Sequence, residues 1–69
     1  MSTATEPLFP DVHVQLTGTD GNAGAIMARV TDALWKAGLG LAVTEFRLEA
    51  LDGDYDHLLR TCMKYVSVS

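Results

Sequence analysis

The sequence predicts a single small α+β domain with one N-terminal strand, three helices and a short C-terminal strand able to pair with the first. Three observations carry that reading. Apolar and polar residues alternate strictly from Asp11, as in a strand with one buried face. Residues 23–37 repeat apolar side chains at i, i+3, i+4 and i+7, and residues 55–66 do so again, as in helices that bury one stripe. The 69 residues are 48% apolar, and a chain of that length buries only about 60% of its unfolded surface, too little for two cores.

Residues 1–10 mix small polar residues with Pro7 and Pro10 and read as a flexible tail, from which Leu8 and Phe9 can hook onto the domain formed by residues 11–69. In the first strand Val12, Val14 and Leu16 share one face and His13, Gln15 and Thr17 the other, until Gly18 and Gly21 end it. Asn22 suits the N-cap of a helix whose inner stripe is Ala23, Ile26, Met27, Val30, Ala33, Leu34 and Ala37, closed by Gly38. Asp32 and Lys36 form an i, i+4 pair on its outer side, and the lysine suits the C-terminal end of the helix dipole.

Residues 41–51 fit two patterns. Phe46, Leu48 and Ala50 alternate with Glu45, Arg47 and Glu49 as in a strand, whereas Ala42, Val43, Phe46 and Ala50 line one face of a helix. The leucine, alanine, glutamate and arginine content favours the helix. After the turn at Asp52, Gly53 and Asp54, the last of these can cap a third helix with Tyr55, Leu58, Leu59, Cys62, Tyr65 and Val66 inward and His57, Arg60, Thr61 and Lys64 outward. Val66 to Val68 alternates once more and offers the first strand the ladder partner it otherwise lacks.

Composition narrows the partners. Nine acidic residues against five basic ones give a formal charge of −4, which repels a phosphate backbone and disfavours nucleic acid. With no run of about 18 apolar residues and no basic-then-apolar leader, the expected location is the cytoplasm, without a membrane partner. The lone cysteine, Cys62, cannot make an internal disulfide, and no Cys/His spacing suits zinc. Packing or self-association is left to support so small a fold.

Two stretches carry a resemblance. The first runs from Val14 to Ala23 (Val-Gln-Leu-Thr-Gly-Thr-Asp-Gly-Asn-Ala) and the second from Gly53 to Leu59 (Gly-Asp-Tyr-Asp-His-Leu-Leu), leading into Thr61, Cys62 and Met63. Over residues 11–68 the chain resembles a family of small uncharacterised proteins of actinobacteria, other bacteria and their phages. The resemblance implies a strand followed by three helices and carries no biochemical activity with it. The chain departs from that family where relatives hold several arginines on the first helix, since Thr31 and Trp35 stand there. A weaker echo between Val14 and Leu51 resembles the opening of an ACT regulatory domain, a ferredoxin-like βαββαβ module that binds amino acids at paired interfaces. It implies a strand at residues 41–51, yet too few residues follow Gly53 for its remaining strand, helix and strand.

Candidate chemistry is sparse. Asp52, Asp54 and Asp56 have the 1, 3, 5 spacing of a calcium loop, but His57 stands where the loop needs glycine and Met63 where it needs glutamate, so no metal site is expected. Residues 17–22 precede a helix as a phosphate loop would, but neither G-x-x-x-x-G-K-[ST] nor G-x-G-x-x-G is present and Asp20 opposes an anion. Asp20, Gly21, Asn22, Asp54, Asp56 and His57 therefore remain loop candidates for a ligand, with a turn and two helix caps as the plainer account. Cys62 falls on the inner stripe, where a thiol packs rather than attacks, and His13 has no nucleophile set beside it by sequence. No catalytic residue and no cofactor is expected.

Trp35 lies ~140° from the centre of the first helix's core stripe, in line with Gly24, Ala28 and Thr31. A large aromatic among small residues makes a knob beside a groove. Either another part of the chain covers it, such as the tail through Phe9, or it anchors a second copy or another protein. The expectation is a non-enzymatic interaction module of bacterial or phage origin that binds itself or a host protein. A small-ligand regulatory module of the ACT type and a small metal protein or enzyme are the alternatives.

Overall fold

The computed structural model describes residues 6–16 and 21–69 of the chain. Five elements follow one another: β1 (Phe9–Val14), α1 (Ala23–Lys36), α2 (Gly40–Ala50), α3 (Tyr55–Tyr65) and β2 (Val66–Val68). The fold is α+β, with β1 and β2 paired in parallel as a two-stranded sheet. A parallel pair needs a long crossover, and here the three helices supply it.

β1 starts two residues earlier than the alternation suggested and takes in Phe9 and Pro10. Its register with β2 runs Phe9 to Val66, His13 to Ser67 and Val14 to Val68, with an irregularity between Phe9 and His13. Pro10 falls in that bulge, where its missing N–H interrupts no ladder, and its carbonyl accepts the Ser67 hydroxyl at 2.8 Å. Pairing continues past the strands, as Ser69 N–H donates to the Val14 carbonyl and Leu16 N–H to that of Ser69. Val12 and Val14 turn inward while Asp11 and His13 are exposed, so one sheet face meets the helices.

α1 begins where Asn22 accepts from Gly24 N–H at 2.7 Å and Ala25 N–H at 3.4 Å. It ends in a Schellman motif, because Gly38 takes φ +79° and donates to the Trp35 carbonyl while Leu39 N–H donates to Leu34. Leu39 then packs against the core that holds Leu34, fixing the corner from which α2 departs. Asp54 caps α3 by accepting from His57 N–H at 2.9 Å.

The core gathers Val14 from β1, Ile26, Val30 and Leu34 from α1, Ala42, Val43, Phe46 and Ala50 from α2, and Leu58, Cys62 and Tyr65 from α3, with Val66. Tyr65 stacks edge-on against Phe46 at 5.5 Å between centroids and lies 6.5 Å from the ring of Phe9. α2 overturns the ferredoxin-like βαββαβ alternative, since the described residues form two strands where that fold needs four. As a helix the segment buries its four apolar residues together, whereas a strand would turn Val43 away from the other three.

Two residues of α3 face the other way from the sequence expectation. Thr61 is not outward but 2% exposed, and Tyr55 is exposed rather than inward. The buried stripe is Leu58, Thr61, Cys62 and Tyr65, and burial of Thr61 is tolerated because its hydroxyl donates back to the His57 carbonyl at 2.8 Å. Among the described residues no helix is long and apolar enough to cross a membrane.

Candidate interaction surface

The Schellman turn sets Trp35 beside the first residue of α2. Its ring crowds Gly40 so closely that a Cβ there would lie 2.9 Å from Cζ3 and 3.3 Å from Cη2. The indole is nevertheless 63% exposed. It forms one wall of an open depression of about 650 Å³ that Phe9, Leu39, Leu41 and Glu45 also line. Phe9 and Trp35 thus line one depression, and the indole keeps most of its surface in water.

Of the three residues aligned with Trp35 in sequence, Gly24 and Ala28 are exposed and Thr31 is half-buried, its hydroxyl donating to the Ala28 carbonyl at 3.1 Å. The nearest atom to a Cβ on Gly24 is Asn22 Oδ1 at 3.1 Å. The knob thus finds its small neighbour across the turn, at Gly40, rather than along its own helix.

Leu41, which lines this depression, also belongs to a second apolar surface, on the outer side of α2. Leu41, Leu48 and Leu51 are 89%, 70% and 67% exposed on the outer side of α2. Thr44, Arg47, Leu48 and Leu51 line a second open depression of about 310 Å³. Leu41, Thr44, Leu48 and Leu51 recur at i, i+3, i+7 and i+10, which puts them on one face. α2 is accordingly apolar on two sides, one buried and one open. The signal was present in the spacing of Leu41, Leu48 and Leu51, but the strand-like alternation through Leu48 masked it.

The loop candidates divide. Asp20, with Thr17, Gly18 and Thr19 of the phosphate-loop reading, lies outside the described residues. Gly21 accepts at its carbonyl from the Tyr55 hydroxyl at 2.8 Å, which ties the start of α1 to the start of α3. Asn22 and Asp54 are helix caps. Asp56 pairs with Arg60 at 2.9 Å along α3. His57 Nε2 lies 2.7 Å from the Glu49 carbonyl; a carbonyl only accepts, so that nitrogen carries the hydrogen. The His57 ring also packs on Gly53, where a Cβ would fall 2.6 Å from Cγ. Asn22 and Asp54 thus serve as caps, Asp56 in a pair along its own helix, and Gly21 and His57 in joins between elements, and among the described residues no three His, Cys, Asp or Glu side chains cluster as metal ligands do.

Glu49 is the hub of that join. Its carboxylate meets Lys64 Nζ at 2.7 Å and accepts from the Tyr65 hydroxyl at 3.2 Å. The Lys64 hydrogen bond holds the Glu49 carboxyl below its ordinary range, and burial with the nearby Glu49 charge pushes the Tyr65 phenol up. Cys62 is fully buried, and desolvation raises its thiol to about 11, so at neutral pH it is protonated and packs as a small apolar group. Comparison of the chain with protein-family models, with curated proteins and with solved structures gives no match.

Proposed function

We propose that the protein is a non-enzymatic interaction module of bacterial or phage origin, working in the cytoplasm by associating with itself or by binding a host protein. The observation that carries this reading is the position of Trp35, most of whose ring is in water at the mouth of an apolar depression. Tryptophan is the side chain most often found as an interface anchor, because a rigid apolar ring gains much on desolvation and loses little rotamer freedom. The polar groups named above are engaged in caps and joins, and Cys62 is protonated and buried, which favours binding over chemistry. The likeness to small phage and bacterial proteins, read from the motifs at residues 14–23 and 53–59, is part of the same proposal.

The test is affinity purification of the tagged protein from its native host, run in parallel with Trp35→Ala. A protein retained by the wild type and lost from the variant, whether a copy of the chain or another species, is the expected result. Identical recovery from both would remove the surface from the account.

A further inference from the structure

We infer that the outer face of α2, together with Trp35, is the seat of a second copy of this chain, joined through a two-fold interface. The inference deepens the interaction reading above and rests on it. The face is linear and apolar: Leu41, Thr44 and Leu48 run along the helix to Leu51 at its C-cap, and Leu41 also lines the Trp35 depression. This is the a/d spacing with which one helix meets another, whereas the buried residues Ala42, Val43, Phe46 and Ala50 already face the core.

Area, charge and size each favour a copy of the same chain. Three leucines and an indole so exposed present on the order of 500 Å² of apolar surface, and two such faces, fully covered, bury about 1,000 Å², the lower bound of a specific interface, to which the flanking polar residues add. A two-fold axis gives this total without a second, different patch. The chain carries −4 overall, which opposes contact between copies, but Glu45 and Arg47 flank the stripe with one charge of each sign. The face that would meet itself is thus spared the net repulsion. Finally, a fold of this size with one cysteine has no internal disulfide to support it, and self-association is, beside close packing, a device by which small domains gain stability.

Sedimentation of the full chain over a micromolar to sub-millimolar range tests the inference, with Leu48→Glu as the disruptive variant and Met63→Ser, at an exposed position on α3, as the control. The wild type and the control should sediment as dimers, and Leu48→Glu should weaken association at least tenfold while its helical circular dichroism is unchanged. Thr44→Cys supplies an independent readout that does not depend on how Leu48→Glu folds. A short bismaleimide should link two copies through it, because Cys62 is buried and protonated and does not compete. A wild type that stays monomeric, a dimer indifferent to Leu48→Glu, or a Thr44→Cys chain that does not cross-link would each overturn the second copy. A monomer that still captures another protein in a Trp35-dependent manner would overturn this inference and leave the interaction reading standing.

Discussion

At the scale of single residues, the corner between α1 and α2 depends on two glycines for different reasons. Gly38 sits at φ +79°, where a Cβ strains the backbone, so Gly38→Ala should destabilise the protein by about 1 kcal/mol in a denaturant titration. Gly40 has ordinary helical backbone, and its constraint is the indole of Trp35 lying over its Cα. Gly40→Ala should therefore displace the ring, seen as a shift in the emission of the only tryptophan, with little loss of helix. Cys62 gives a pH signature. Its folded thiol is raised to about 11 from an ordinary 9.0, so burial favours the protonated form. The stability it contributes is complete below pH ~9 and is lost as pH rises through ~11. Alkylation at pH 8 should be slow in the native protein and become fast only in denaturant; rapid native labelling would contradict the burial.

At the scale of elements, α2 explains both what was legible in the sequence and what was not. Phe46 is fully buried between α1 and α3, so Phe46→Ala should cost about 3–5 kcal/mol, whereas Leu48→Ser on the same helix should change monomer stability by no more than about 0.5 kcal/mol. Backbone chemical shifts across Thr44–Ala50 should be helical; extended values would return the segment to the sheet. The inner stripe at residues 42, 43, 46 and 50 was readable because a helix packed on two neighbours must place its apolar residues at 3.6-residue spacing. The outer stripe confused the reading: Leu48 is apolar with no core to face, and it mimics the alternation of a strand. Thr61 misled in the opposite sense, since a hydroxyl that returns a hydrogen bond to its own helix is buried without looking apolar. The caps at Asn22 and Asp54 were legible because they depend on local geometry alone. The approach of Trp35 to Gly40 was not, because it arises only when the Schellman turn folds α2 back beside the end of α1.

At the scale of the whole molecule, the first and last elements pair with each other, and the corner that presents Trp35 lies in the crossover between them. Folding and association can then be separated by one substitution. The Trp35 ring leans on Gly40 and lines a depression with Phe9, and most of its surface meets water. Trp35→Ala should leave the monomer folded, with a loss of about 0.5 kcal/mol, the size expected of a surface change. If the ring anchors an interface, the same substitution should weaken self-association or partner capture by about 1–3 kcal/mol, because a desolvated aromatic anchor contributes far more to binding than its partial contact contributes to folding. Melting and sedimentation of the two proteins, side by side, separate these effects. A loss of about 3 kcal/mol or more from the monomer would assign Trp35 to the core, since only a ring held on all sides leaves a cavity of that consequence, and the binding role of the α1–α2 corner would fall with it.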